Sequence, residues 1–137
     1  MSDTPQLALR KGLFERLSAS AALSAVLGSG RIFDKSPRGQ AFPFLVLESI
    51  SAEPLLSHPD EGLAHVLRLV ALSRGGSRDE ALTIAETAGR VLIETPPAVD
   101  GQHLVGLQVS SLSSRLLRDG RTFRAEMTLR AVTEPIG

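Results

Sequence analysis

Three histidines, His58, His65 and His103, with the carboxylates Asp60 and Glu61, are the side chains best suited to hold a metal or to move a proton. Their spacing argues against both roles. His58 falls in a breaker-rich stretch, His65 in a strand pattern, and His103 lies 38 residues further on, so no pair has the four-residue helical interval of a metal motif. Ser110, Ser111, Ser113 and Ser114 sit in a strand pattern with no glycine elbow beside them, and no histidine and acid follow in a recognisable order. Gly28-Ser29-Gly30 and Gly75-Gly76 lack the lysine and glycine spacing of a phosphate cradle and read as turns. Asp79 and Glu80 belong in the first turn of a helix, where carboxylates complement its dipole. With no cysteine there is no thiolate nucleophile and no disulfide. The chain is therefore expected to have no catalytic, cofactor-binding or metal-binding set, and not to be an enzyme.

Two clusters suit contact better than chemistry. Arg115, Arg118, Arg121 and Arg124 surround a turn, set against Asp119 and Glu126. They form either a solvated tip that discourages edge-to-edge association, or a contact for an acidic partner subunit or a DNA backbone. Phe123, the one aromatic among them, alternates inward, so base stacking is not supported. The second cluster is Pro54, Leu55 and Leu56, apolar residues in an otherwise polar loop.

The elements that must position these residues are legible in order. Thr4-Pro5 starts a helix with a cap and an N1 proline, and Leu9, Leu13, Phe14 and Leu17 form its stripe to about Ser18. Ser20 caps a short second helix ended by Gly28, and residues 31–33 make a brief extended piece. Strands are expected over 44–51 and 64–73, joined by an irregular loop over 52–62. Ser77 and Glu80 have the spacing of a reciprocal capping box for an amphipathic helix that Pro96-Pro97 ends. A long hairpin follows, with strands over 102–116 and 121–133 and Asp119-Gly120 at its turn. The layout predicts one α+β domain over 1–137, an antiparallel sheet of about four strands with two main helices packed on one face. Residues 64–73 are apolar on both faces; the helices can cover one, and either the long hairpin or a neighbouring copy covers the other.

Hydrophobic residues at 42% and charged residues at 22% fit a folded globular chain, and zero net charge removes any global pull toward nucleic acid or anionic membrane. No apolar run is long enough to span a bilayer, and the first residues lack a secretion signal, so folding in the cytoplasm is expected. All but Lys11 and Lys35 of the 15 basic residues are arginine. Codon bias accounts for this, as does arginine's fitness for pairing across subunits.

The ordered pieces resemble those of small phage tail completion or tail terminator proteins, a family with prophage and gene transfer agent members. The resemblance is carried by the run 21–28, by Arg31-Ile32-Phe33-Asp34 and Pro37, by Phe42-Pro43-Phe44-Leu45-Val46-Leu47, by Leu72-Ser73-Arg74 before Ser77, and by Asp119-Gly120 and residues 130–135. It implies a homo-oligomeric ring, usually hexameric, which ends tail-tube polymerisation and meets the head connector at the head–tail junction. Double-stranded DNA would transit such a ring without sequence-specific binding, and no membrane or cofactor would be involved. A connector role in the same particle, a small DNA-binding module and a small hydrolase are the alternatives. On this resemblance Pro54, Leu55, Leu56, Arg115, Arg118 and Arg121 are the expected partner contacts.

Overall fold

The computed structural model describes residues 3–39, 41–56 and 61–136; His58 and Asp60 of the histidine group lie outside them. In chain order the elements are α1 (Pro5–Ser18), α2 (Ala21–Leu27), β1 (Ile32–Phe33), β2 (Phe44–Pro54), β3 (Leu63–Ser73), α3 (Asp79–Glu94), β4 (Gln102–Leu116) and β5 (Phe123–Pro135). The strands form one sheet in the order β1-β2-β3-β5-β4. Every pair is antiparallel except β1 with β2. The extended piece at Ile32 is thus a fifth, parallel strand, two residues long, and the sheet is mixed.

Local chemistry sets the helix ends. The Thr4 hydroxyl accepts from the Leu7 amide at 3.3 Å, and Ser20 does the same for Leu23 at 3.1 Å. Gly28, at φ 91°, stops α2 in a conformation that L side chains rarely adopt. The expected capping box of α3 does not form. Ser77 Oγ accepts from Asp79 N at 3.3 Å, while the Glu80 carboxylate turns back to the Ser73 hydroxyl at 2.5 Å. The passage through Gly75-Gly76 brings the end of β3 within hydrogen-bond reach of Glu80, and this carboxylate ties β3 to α3 instead.

Bulges reconcile the irregular apolar spacing with one buried face. Val105 and Ser110 are extra residues in β4, so Leu104, Leu107, Val109 and Leu112 all point to the helix side although they are not evenly spaced. Glu48 does the same in β2, aligning Leu45, Leu47 and Ile50. The breaker-rich stretch is also more regular than expected. β2 continues through Ala52 and Glu53 to Pro54, which pairs with Leu63, so the connection starts at Leu55.

The main core lies between the sheet and the helices. Leu9, Leu13 and Leu17 of α1, Leu23 and Leu27 of α2, and Ile84, Ala88 and Leu92 of α3 are buried against Leu45, Leu67, Leu69 and Leu129. Each buried leucine or isoleucine side chain contributes about 1.5–3 kcal/mol. The opposite face of β3 is closed at one end within the chain. Phe44, Val46, Val70 and Leu72 form a second cluster, covered by Phe33, Phe42 and Leu117. Most of that cover comes from the segment leading into β2, an option the strand pattern alone did not suggest, with Leu117 added by the β4–β5 turn.

Candidate functional site

The sheet has two ends, and the expected contact residues divide between them. At one end the β2–β3 connection is closed by the Leu55 amide donating to the Gly62 carbonyl at 3.1 Å. Leu55 is 39% and Leu56 68% exposed. Pro54 belongs to the strand rather than to the loop. Glu53, Glu61, Asp100 and Glu134 are exposed around this end, which is acidic as well as apolar.

At the other end the β4–β5 turn is built on Asp119. Its carboxylate accepts from the amides of Arg121 and Thr122 at 3.0 and 2.9 Å and from the Thr122 hydroxyl at 2.5 Å. Arg74 donates to Thr122 Oγ1 at 2.9 Å, lies 3.5 Å from Asp119 and stacks 4.1 Å over the Phe42 ring. The Thr122 hydroxyl and the two amides hold the Asp119 carboxyl at about 2, below its ordinary 3.8. A depressed carboxylate stabilises the turn fully above 3.8 and loses that effect as the pH falls through about 2. An NMR titration of the Asp119 carboxyl carbon should therefore have its midpoint near 2, and Asp119→Ala should speed hydrogen exchange of the Arg121 and Thr122 amides at neutral pH.

The four arginines near this turn are not equivalent. Arg124 is locked between Glu48 at 2.7 Å and Glu126 at 3.1 Å. Burial works against its charge, but the two glutamates outweigh it and its pKa rises. Arg115, Arg118 and Arg121 are exposed, and among the described residues their side chains have no ion pair. With β3 spanning Leu63–Ser73 at about 3.3 Å per residue, the acidic and basic ends stand roughly 30 Å apart and do not make one site.

The candidates for chemistry stay dispersed. His65 is buried, with Nε2 2.9 Å from Thr133 Oγ1, and His103 is exposed on β4. Among the described residues no three metal-ligating side chains converge. Ser110, Ser111 and Ser113 are exposed. Desolvation lowers the His65 pKa below 6.5, so the unfolded chain takes up this proton before the folded one does. Stability should be constant above about pH 6.5 and fall as the pH drops below it. Urea melts at pH 7.5 and 5.5 check this, with His65→Leu expected to flatten the difference.

One surface was not anticipated. Gly89, Arg90 and Ile93 of α3 and Val109, Leu112 and Met127 of the sheet border an open apolar groove of about 370 Å³ beside the outermost strand β4. The signal lay in Val109, Leu112 and Ile93, but only the β4 bulges bring the first two to the α3 side.

A sequence profile described as tail completion protein gp17 matches residues 11–134. The chain belongs to the tail completion protein family. Tail completion proteins are structural components of phage-like particles and not enzymes. This tail completion protein superposes on a chain of the virion of a native gene transfer agent particle with a TM-score of 0.85 at 21% identity, over 97% of this chain and 99% of that one. It superposes on the gp17 protein of bacteriophage SPP1 with a TM-score of 0.59 at 18% identity, over 96% and 91%. No curated protein sequence matches it. At these identities the shared property is the fold.

Proposed function

We propose that this tail completion protein is a tail terminator. Copies assemble into a ring, six in the usual stoichiometry, at the head–tail junction; the ring ends tail-tube polymerisation and seats the head connector. The observation that carries the reading is the end-to-end match to a chain of a gene transfer agent virion. Physical features support it. A protein seated between a tube and a connector needs two different surfaces on each copy, and the acidic, leucine-bearing end and the arginine-bearing end differ in charge and lie far apart. Zero net charge suits a channel through which DNA moves without being held. In this reading Pro54, Leu55 and Leu56 at one end, and Arg115, Arg118 and Arg121 at the other, contact tube or connector proteins.

Deleting the gene and imaging the particles tests it. A terminator's loss leaves tails of uncontrolled length detached from filled heads. Tails of normal length, with heads that leak DNA, would instead make the protein a connector.

A further inference from the structure

The two edges of the sheet are finished differently. On the β2 side, β1 covers Leu45 and Val46, the Gln6 side-chain amide donates to the Ile50 carbonyl at 3.1 Å, and Pro54 ends the strand without an N–H to offer. On the other side β4 is outermost and fifteen residues long. It contains neither lysine nor proline, and among the described residues no side chain bonds to its main chain. The β2 edge is blunted, whereas β4 is bulged at Val105 and Ser110 but left without a strand partner on its outer side, with a regular run over Ser111–Leu116.

The open edge runs beside the groove walled by α3, where Ile93 is 42% and Val109 40% exposed. An edge strand next to an apolar, helix-walled groove is the arrangement by which an extended segment docks: its main chain bonds to the edge and every second side chain enters the groove. The register then specifies the segment. Val109, Leu112 and Leu116 lie opposite Leu129, Met127 and Phe123 and so face the helix side, while Ser111, Ser113 and Arg115 face the other. Arg115 stands directly across from Arg124, which is committed to Glu48 and Glu126. Like charges paired across strands are unfavourable, and a carboxylate on the outer side of Arg115 relieves them. Glu86 and Glu94 rim the groove on either side of Arg90, so carboxylates fit at the Arg115 end and not over α3.

We infer that β4 receives an extended segment of another particle protein, apolar at alternate positions where it crosses α3 and carrying carboxylates where it reaches Arg115 and Arg118. The inference rests on the terminator reading for the presence of such a neighbour. A second copy pairing edge to edge is a poorer occupant, because β4 contains no acidic residue to offer itself and the β2 edge is blunted.

A photoreactive residue tests this in assembled particles. Val109→p-benzoylphenylalanine places the probe in the groove at an exposed position; after illumination, mass spectrometry identifies the partner and the linked segment. The expected product joins Val109 to an extended, alternating apolar segment of a different particle protein with carboxylates at one end, and Arg115→Glu should reduce its yield by about tenfold. A link to a second copy, to a helical or basic segment, or to DNA overturns the inference, as does no link in particles that contain the protein. If the wild-type chain is missing from the particles, the terminator reading falls with it.

Discussion

Gly12→Ala should lower the unfolding free energy by about 2–3 kcal/mol, although alanine is the better helix former by about 1 kcal/mol. A Cβ on Gly12 would stand 2.2 Å from the Ala98 carbonyl oxygen and 3.2 Å from its carbon. That oxygen is main chain and cannot swing aside. The segment it belongs to is held on both sides, by Arg16 donating to the Pro96 carbonyl at 3.2 Å and by the buried Val99. Making room means lifting α1, and with it Leu9 and Leu13, off the core. Gly89→Ala is the informative contrast. There the new Cβ would meet Met127 Cε at 2.8 Å and Sδ at 2.9 Å, the far end of a flexible thioether that can move, so the net change should stay within about 1 kcal/mol. Urea midpoints of the two variants decide the matter, and a Gly12→Ala protein as stable as the parent would mean that α1 does not pack on Ala98.

These two glycines show why some of the fold was legible and some was not. Their residue type is the same and both lie in helix patterns, yet only the partner across the gap separates them, and that partner is 86 residues away for Gly12. Features fixed by neighbours in sequence were readable. The Thr4 and Ser20 caps, the stop at Gly28, the strand Gln102–Leu116 and the alternation of β5 are all decided within a few residues. Features decided by competition between local and distant partners are not legible in the sequence. The Ser77–Glu80 spacing is that of a capping box, but Ser73 offers Glu80 a hydroxyl across the strand–helix joint. The parallel pairing of β1 depends on chain returning from a loop, and two residues carry no pattern that could announce it.

The proposed contact residues divide along the same line. Exposed leucines in a breaker-rich tip and arginines around an Asp-Gly turn are visible in composition. The division of those arginines is not, because Arg124 is committed to Glu48, 76 residues earlier, while Arg115, Arg118 and Arg121 remain exposed. The groove beside β4 was hidden for a different reason: an unbulged strand would not have brought both Val109 and Leu112 to the helix side, and the sequence does not mark Ser110 as the extra residue.

The largest functional effect is expected at the other end of the sheet. Replacing residues 56–61 by Asn-Gly, between Leu55 and Gly62, should leave the domain folded and still abolish control of tail length. The fold should survive because the strands on either side are already paired at Pro54 and Leu63, and the Leu55 amide already donates to the Gly62 carbonyl at 3.1 Å. Asn-Gly suits a two-residue hairpin turn, and a shorter loop closes at a slightly lower entropic cost. Thermal melts should therefore shift little. What the variant loses is Leu56, 68% exposed in the free chain, together with residues 57–60 and Glu61. In the terminator reading such a leucine becomes buried only against a tube or connector protein, where complete burial is worth about 1.5–3 kcal/mol per copy and is repeated around the ring. Leu56→Ser alone should give an intermediate defect, because it removes the apolar anchor but keeps the acidic tip. Tail lengths measured by electron microscopy separate the outcomes: a broad distribution from a protein that melts normally places the contact at this tip, whereas tails of parental length would remove the tip from the interface.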